Sequence, residues 1–167
     1  DLIIGSNGTQ HQPVVKVIDG SKGKLIKTIQ LTDLNIGTSV QVASGDVTGD
    51  GKADIVVSGG PSGSNRIAIY DGSNFAEVGN FFAFSPNDYY GVNLAVGDVN
   101  GDGYADIVAG QASNGNLVNV FSGRNFTYLN QIVPLKNQQA TSGVLVGVVD
   151  ANQDGRLDIM TGESGNS

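Results

Sequence analysis

Apolar residues in this chain gather into short runs of five to eight residues, each bounded by Gly, Asn, Ser or Asp. Four kinds of run recur in a fixed order. DLIIGSN at 1, DIVVSGG at 54, DIVAGQA at 106 and DIMTGES at 158 are apolar stretches that end in small residues. Alternating runs follow: VVKVIDG at 14, RIAIYDG at 66 and LVNVFSG at 117. The third kind is LIKTIQL at 25, VGNFFAF at 78 and LNQIVPL at 129. The fourth is SVQVASGD at 39, GVNLAVGD at 91 and GVLVGVVD at 143. Such lengths and boundaries predict β-strands, and no stretch stands out with the 3.6-residue periodicity of an amphipathic helix.

The four runs make a unit of about 52 residues. Four strands per unit, repeated near a 50-residue period, is the pattern of a propeller blade. The predicted fold is therefore all-β: a β-propeller segment of four-stranded antiparallel blades, about three repeats long, belonging to a larger propeller or completed by oligomerisation. A β-sandwich with accidental internal similarity is the alternative; three acidic loops in matching register weigh against it. Taking the run before that loop as strand 1, residues 1–36 supply strands 2–4 of a partial blade. Residues 37–89 and 90–141 are whole blades, and 142–167 supply strands 1 and 2 of another partial blade. Asp1 then matches the closing residue of an acidic loop, so the chain is expected to be a piece of a longer repeat array.

The acidic loop is a nine-mer: DVTGDGKAD at 46–54, DVNGDGYAD at 98–106 and DANQDGRLD at 150–158. Side-chain oxygens at alternate positions can converge on a cation when the backbone curls around it. Positions 1, 3 and 5 are Asp46, Thr48 and Asp50; Asp98, Asn100 and Asp102; Asp150, Asn152 and Asp154. Gly51, Gly103 and Gly155 at position 6 permit the sharp turn. Lys52, Tyr104 and Arg156 at position 7 can offer only a backbone carbonyl, which leaves their side chains free to vary. Asp54, Asp106 and Asp158 close each set. All donors are oxygen and flexible, which favours calcium over magnesium or a transition metal. Three calcium sites are expected, the first weakest because Thr48 offers a hydroxyl where the others offer an amide oxygen.

Other calcium loops fit less well. An EF-hand needs Glu at position 12, where this chain has Val57, Ala109 and Thr161 inside a predicted strand. Dockerin-like loops fail for the same reason, and the nonapeptide β-roll needs adjacent copies. Metal-free Asp-Gly hairpin turns are the bland alternative, yet a hairpin needs one Asp-Gly and not four oxygens at odd positions.

Composition sharpens this picture. The net charge is −7, and removing the nine loop aspartates from it leaves +2. Three divalent ions would bring −7 to −1. No basic stripe exists, which argues against nucleic acid. Twenty-five glycines with four prolines suit many tight turns without a collagen period. There is no cysteine, so neither disulfides nor thiolate zinc sites contribute. No apolar run approaches the ~18 residues of a membrane span. There is no signal peptide in the sequence, which says nothing about a mature chain.

The chain resembles the FG-GAP (integrin α-type, VCBS-like) repeats of seven-bladed propellers over essentially all of its length. The acidic nine-mer is the most specific element, and the family's calcium ligands map onto the positions just named. The family's Phe-Gly is echoed by Tyr90–Gly91 and its Gly-Ala-Pro by Gly59–Gly60–Pro61. The resemblance implies a non-catalytic extracellular module for adhesion or for glycan or protein recognition. An accessory domain of a large secreted carbohydrate-active enzyme and a structural spacer in a surface protein are the alternatives.

Catalysis finds little material. His11 is the only histidine and reads as a surface residue in GTQHQP; no G-x-S-x-G elbow occurs. Nothing in the sequence brings Asp33 and Asp88 together as an acid/base pair. Extracellular calcium loops bind at roughly 10⁻⁴ to 10⁻³ M, so secretion or surface display is expected. Ligand is expected on the rim opposite the calcium loops, near 5–13, 32–38, 59–65, 85–90, 110–116 and 136–142. That rim carries His11, Asn65, Asn87, Asp88, Tyr89, Tyr90, Asn114, Gln138 and Gln139. Ring completion by a head-to-tail pair of chains, with strand 143–149 joining the sheet of residues 1–31 in its neighbour, is a further expectation.

Overall fold

A computed structural model describes residues 1–6, 12–32, 34, 36–37, 39–134 and 142–164. His11, Asp33, Gln138 and Gln139, with parts of the loops that hold them, lie outside the described residues. Among the described residues, thirteen strands form four antiparallel sheets. β1 (Leu2–Gly5), β2 (Val14–Ile18) and β3 (Leu25–Gln30) make the first, in the order β1-β2-β3. β4 (Val40–Gly45), β5 (Asp54–Gly59), β6 (Arg66–Tyr70) and β7 (Glu77–Phe82) make the second, again in chain order. The third holds β8 (Val92–Gly97), β9 (Asp106–Gln111), β10 (Val118–Phe121) and β11 (Tyr128–Ile132). β12 (Val144–Val149) and β13 (Asp158–Glu163) pair as the fourth.

The hydrophobic pattern reflects position within each sheet. β5 and β9 are buried at every residue, because both of their faces are covered by neighbouring sheets. That is why they read as continuous apolar runs. The outermost strands β7 and β11 bury little, leaving Val78, Phe82, Tyr128 and Leu129 exposed. Three core clusters lie between consecutive sheets. Val15, Val17, Ile55 and Val57 join the first to the second. Val56, Ile67, Ile69 and Ile107 join the second to the third, with Val108, Val118 and Val144 reaching the fourth. The first strands of successive sheets adjoin one another, β1 to β4, β4 to β8 and β8 to β12, so the sheets fan out as an open arc of propeller blades.

Each β2–β3-type hairpin turns through a left-handed residue, Gly23 at φ 65°, Phe75 at φ 63° and Phe126 at φ 60°. A one-residue register shift accompanies each turn, at Val17/Ile18, Ile69/Tyr70 and Val120/Phe121. An aromatic side chain rarely takes this conformation. Phe126 gains a contact in return: its ring stacks 6.0 Å from Phe81 of the preceding sheet, over Gly79. Phe75 packs in the same way into the core shared with the first sheet.

Candidate functional site

The acidic nine-mers sit where the register places them. Gly45 pairs with Asp54, Gly97 with Asp106 and Val149 with Asp158, so each loop closes the hairpin between the first two strands of its sheet. All three loops share one rim. The backbone curls around the position-1 carboxylate. Asp46 accepts from the N–H groups of Gly49 (2.7 Å), Asp50 (3.0 Å) and Gly51 (2.8 Å). Asp98 accepts from Gly101, Asp102 and Gly103, and Asp150 from Asp154 and Gly155.

Two left-handed residues make this curl possible, at positions 4 and 6. Gly49 and Gly51 have φ of 74° and 83°, Gly101 and Gly103 of 80° and 86°. In the third loop Gln153 takes φ 62° ahead of Gly155, a strained choice for a residue with a side chain. Position 4 was not visible as a turning point in the sequence, because Gln153 breaks the glycine pattern there.

Position 9 faces inward. Asp54 and Asp106 have no exposed surface. Asp54 accepts from the N–H groups of Val47 (2.9 Å) and Thr48 (2.8 Å) in its own loop, and from Gly72 (2.9 Å) in the β6–β7 turn. Asp106 repeats the arrangement with Val99, Asn100 and Gly123. Even Asp1 keeps the equivalent contact, from Gly20 at 3.4 Å. One carboxylate thus fastens the acidic loop to the second turn on the same rim. Burial pushes the Asp106 carboxyl above its ordinary range, with Asp102 adding repulsion, against the pull of its three backbone N–H donors.

Positive charge does not answer these aspartates. Among the described residues the one ion pair is Lys22–Asp19 at 3.6 Å, away from the nine-mers. Nine loop carboxylates, two wholly buried, therefore stand without a basic partner among those residues, a costly arrangement unless a cation joins them. The donor chemistry suits a hard cation: carboxylates at positions 1, 5 and 9, Thr48, Asn100 or Asn152 at position 3, and the carbonyl of Lys52, Tyr104 or Arg156. A carboxylate offers about four acceptor sites, so Asp46, Asp54 and Asp98, with three backbone donors each, retain capacity, while Asp106 also accepts from the Asn100 side-chain amide at 3.2 Å, a bond that a cation would have to replace. The hydroxyl of Thr48 is buried with no hydrogen-bond partner, an orphaned oxygen at a position expected to be a ligand. Among the described residues no three acidic or histidine side chains are gathered into a ready-made metal cage; the carboxylates turn to backbone amides instead.

Two of the three position-7 side chains meet the preceding loop. The Tyr104 ring covers Gly49 of the preceding loop, where a Cβ would lie 2.4 Å from Cε1. Arg124 lies over the other end of this contact, 5.6 Å from the Tyr104 centroid. Arg156 reaches toward Gly101 in the same sense, and the Ala105 N–H donates to the Asp46 carbonyl at 2.8 Å. Successive acidic loops are thus in contact.

The opposite rim brings other expected residues together. Asn87, Tyr89, Tyr90 and Asn114 are exposed, and Asp88 is half-buried. Asn65 is a correction: at 1% exposure it cannot meet a ligand. Its side chain instead donates to the carbonyls of Ser85 and Asp88, both at 2.7 Å, and accepts from the Phe84 N–H. Gly91, at φ 67°, presses against the Gly60 carbonyl of the preceding sheet, where a Cβ would come within 1.9 Å. The Tyr90–Gly91 and Gly59–Gly60–Pro61 motifs are therefore the two sides of one contact between sheets.

Fold and rim together define a segment of a repeat-built β-propeller. The sequence profile of the FG-GAP-like repeat matches residues 46–109 and 98–161, and the chain belongs to that family. Integrin alpha-V of Gallus gallus is 38% identical over 81 residues, covering 47% of this chain and 8% of that protein. Integrin alpha-7 of Rattus norvegicus is 28% identical over 163 residues, covering 88% of this chain and 14% of that protein. The chain thus spans a small part of the length of these relatives. No helix among the described residues is long and apolar enough to cross a membrane.

Proposed function

We propose that this chain is a calcium-stabilised, non-catalytic binding segment of an extracellular, adhesion-type propeller. The observation that carries the metal reading is the set of nine loop aspartates without a basic partner among the described residues, two of them fully buried. Each ion would be held by positions 1, 3, 5 and 9 of its nine-mer and the carbonyl at position 7. When bound, the metal supplies positive charge to the buried carboxylate that joins the loop to the neighbouring turn. The extracellular setting is inferred from the integrin relatives and from the modest affinity of such loops. A protein or glycan ligand is assigned to the opposite rim, around Asn87, Asp88, Tyr89 and Tyr90. Residues 1–36, 37–89, 90–141 and 142–167 are assigned as partial, whole, whole and partial blades. Head-to-tail pairing of two chains, with β12 joining the sheet of β1–β3 in its neighbour, is the assembly that goes with this reading. Calorimetric titration with calcium tests the metal reading: three bound ions are expected, and no binding heat in the millimolar range would contradict it.

A further inference from the structure

A cleft of about 440 Å³ opens between the outer parts of the second and third sheets. This lies within the ~300–1,000 Å³ range of small-molecule sites. Phe82, Phe84, Phe121 and Tyr128 line it with aromatic surface. Tyr128 is 55% exposed, and its edge-to-face contact with Phe121, 6.1 Å between centroids, sets its ring plane. The wall carrying Phe84 and Asp88 is held by the buried Asn65, which hydrogen-bonds backbone groups of residues 84, 85 and 88. The cleft is therefore shaped before any ligand arrives.

Its polar groups come from both sheets. Asn119 is buried and occupied at both ends: its Nδ2 donates to the Ala83 carbonyl at 2.7 Å, and its Oδ1 accepts from Gln131 Nε2 at 2.9 Å. That fixes the Gln131 amide with one N–H and its carbonyl oxygen still to offer. Among the described residues nothing pairs with the Asp88 carboxylate across the cleft. Donor and acceptor thus stand together beside aromatic faces. A hydroxyl group needs both; an ammonium or guanidinium needs acceptors alone and would meet the Gln131 N–H unfavourably.

We propose that this cleft binds a neutral hexose unit of a glycan, its C–H face stacked on Tyr128 and its hydroxyls paired to Gln131 and Asp88. The inference rests on the binding-module reading above and places a site on the blade flank. Amide NMR of the calcium-supplied protein tests it, with the methyl glycosides of glucose, galactose and mannose as probes. At least one is expected to shift the side-chain amides of Asn119 and Gln131. Tyr128→Ala and Gln131→Ala, both at exposed positions, should weaken the Asn119 response about tenfold while the protein stays folded with only a small fall in melting temperature. Leu129→Ala, outside the cleft, should leave it intact. Silence toward all three sugars, shifts confined elsewhere, or a response only to arginine amide would overturn the hexose assignment. Such failure alongside calcium-raised melting sinks the cleft alone, whereas loss of the calcium effect sinks the metal reading alone.

Discussion

Thr48 is the residue at which the metal reading can be divided from ordinary packing. Its hydroxyl is buried without a partner, a state that costs about 1–3 kcal/mol. Thr48→Val keeps the shape and removes the oxygen. In chelator the variant should melt higher than the parent. In calcium the order should reverse, because the first loop loses a ligand. A higher melting temperature in both conditions would mean that the hydroxyl never meets a cation. Asp106 gives a second test, through pH. Its carboxyl titrates above the ordinary 3.8 because burial disfavours its charge. The stability linked to its protonated form is complete below 3.8 and lost as pH rises through the raised value. Melting in chelator should therefore fall over that window, and Asp106→Asn should flatten the fall. Asp19 and Asp71, held low chiefly by Ser21 and Ser73, act in the opposite sense, losing their stabilising effect as pH drops below 3.8.

Each strand was legible as a short run between Gly and Asx residues, and the doubly covered β5 and β9 stood out as unbroken apolar stretches. The acidic loops were legible because their donors alternate. What the loops touch was not. The Tyr104 ring on Gly49 joins positions 55 residues apart, and no local pattern announces that pairing. Asn65 misled for a related reason: an Asn in a polar turn reads as surface, yet three hydrogen bonds to the 84–88 segment bury it. The contact between loops has a measurable consequence. Tyr104→Ala should remove the cover over Gly49 and the neighbouring Arg124 contact, lowering stability by about 1 kcal/mol. It should also loosen calcium binding at the first loop, though Tyr104 lies in the second. Calorimetric titration that finds only the second loop altered would show that the loops act independently.

Among the described residues, three cores rich in Val, Ile and Ala, with Leu31, Leu34, Tyr70 and Phe121 among them, lie between successive sheets, and the acidic loops fasten one rim of the arc. The opposite rim and the blade flanks carry the exposed aromatic residues. Under the proposed function, stability and recognition fall to different faces, and the account turns on calcium holding the first. Thermal melting of the same chain in chelator and then in calcium tests this most directly. A ligand that binds only the folded state at a hundredfold excess over its Kd adds about 2.7 kcal/mol per site. The melting temperature should rise with calcium concentration and return to its lower value when chelator is restored. A melting curve that is the same in calcium and in chelator would contradict the account.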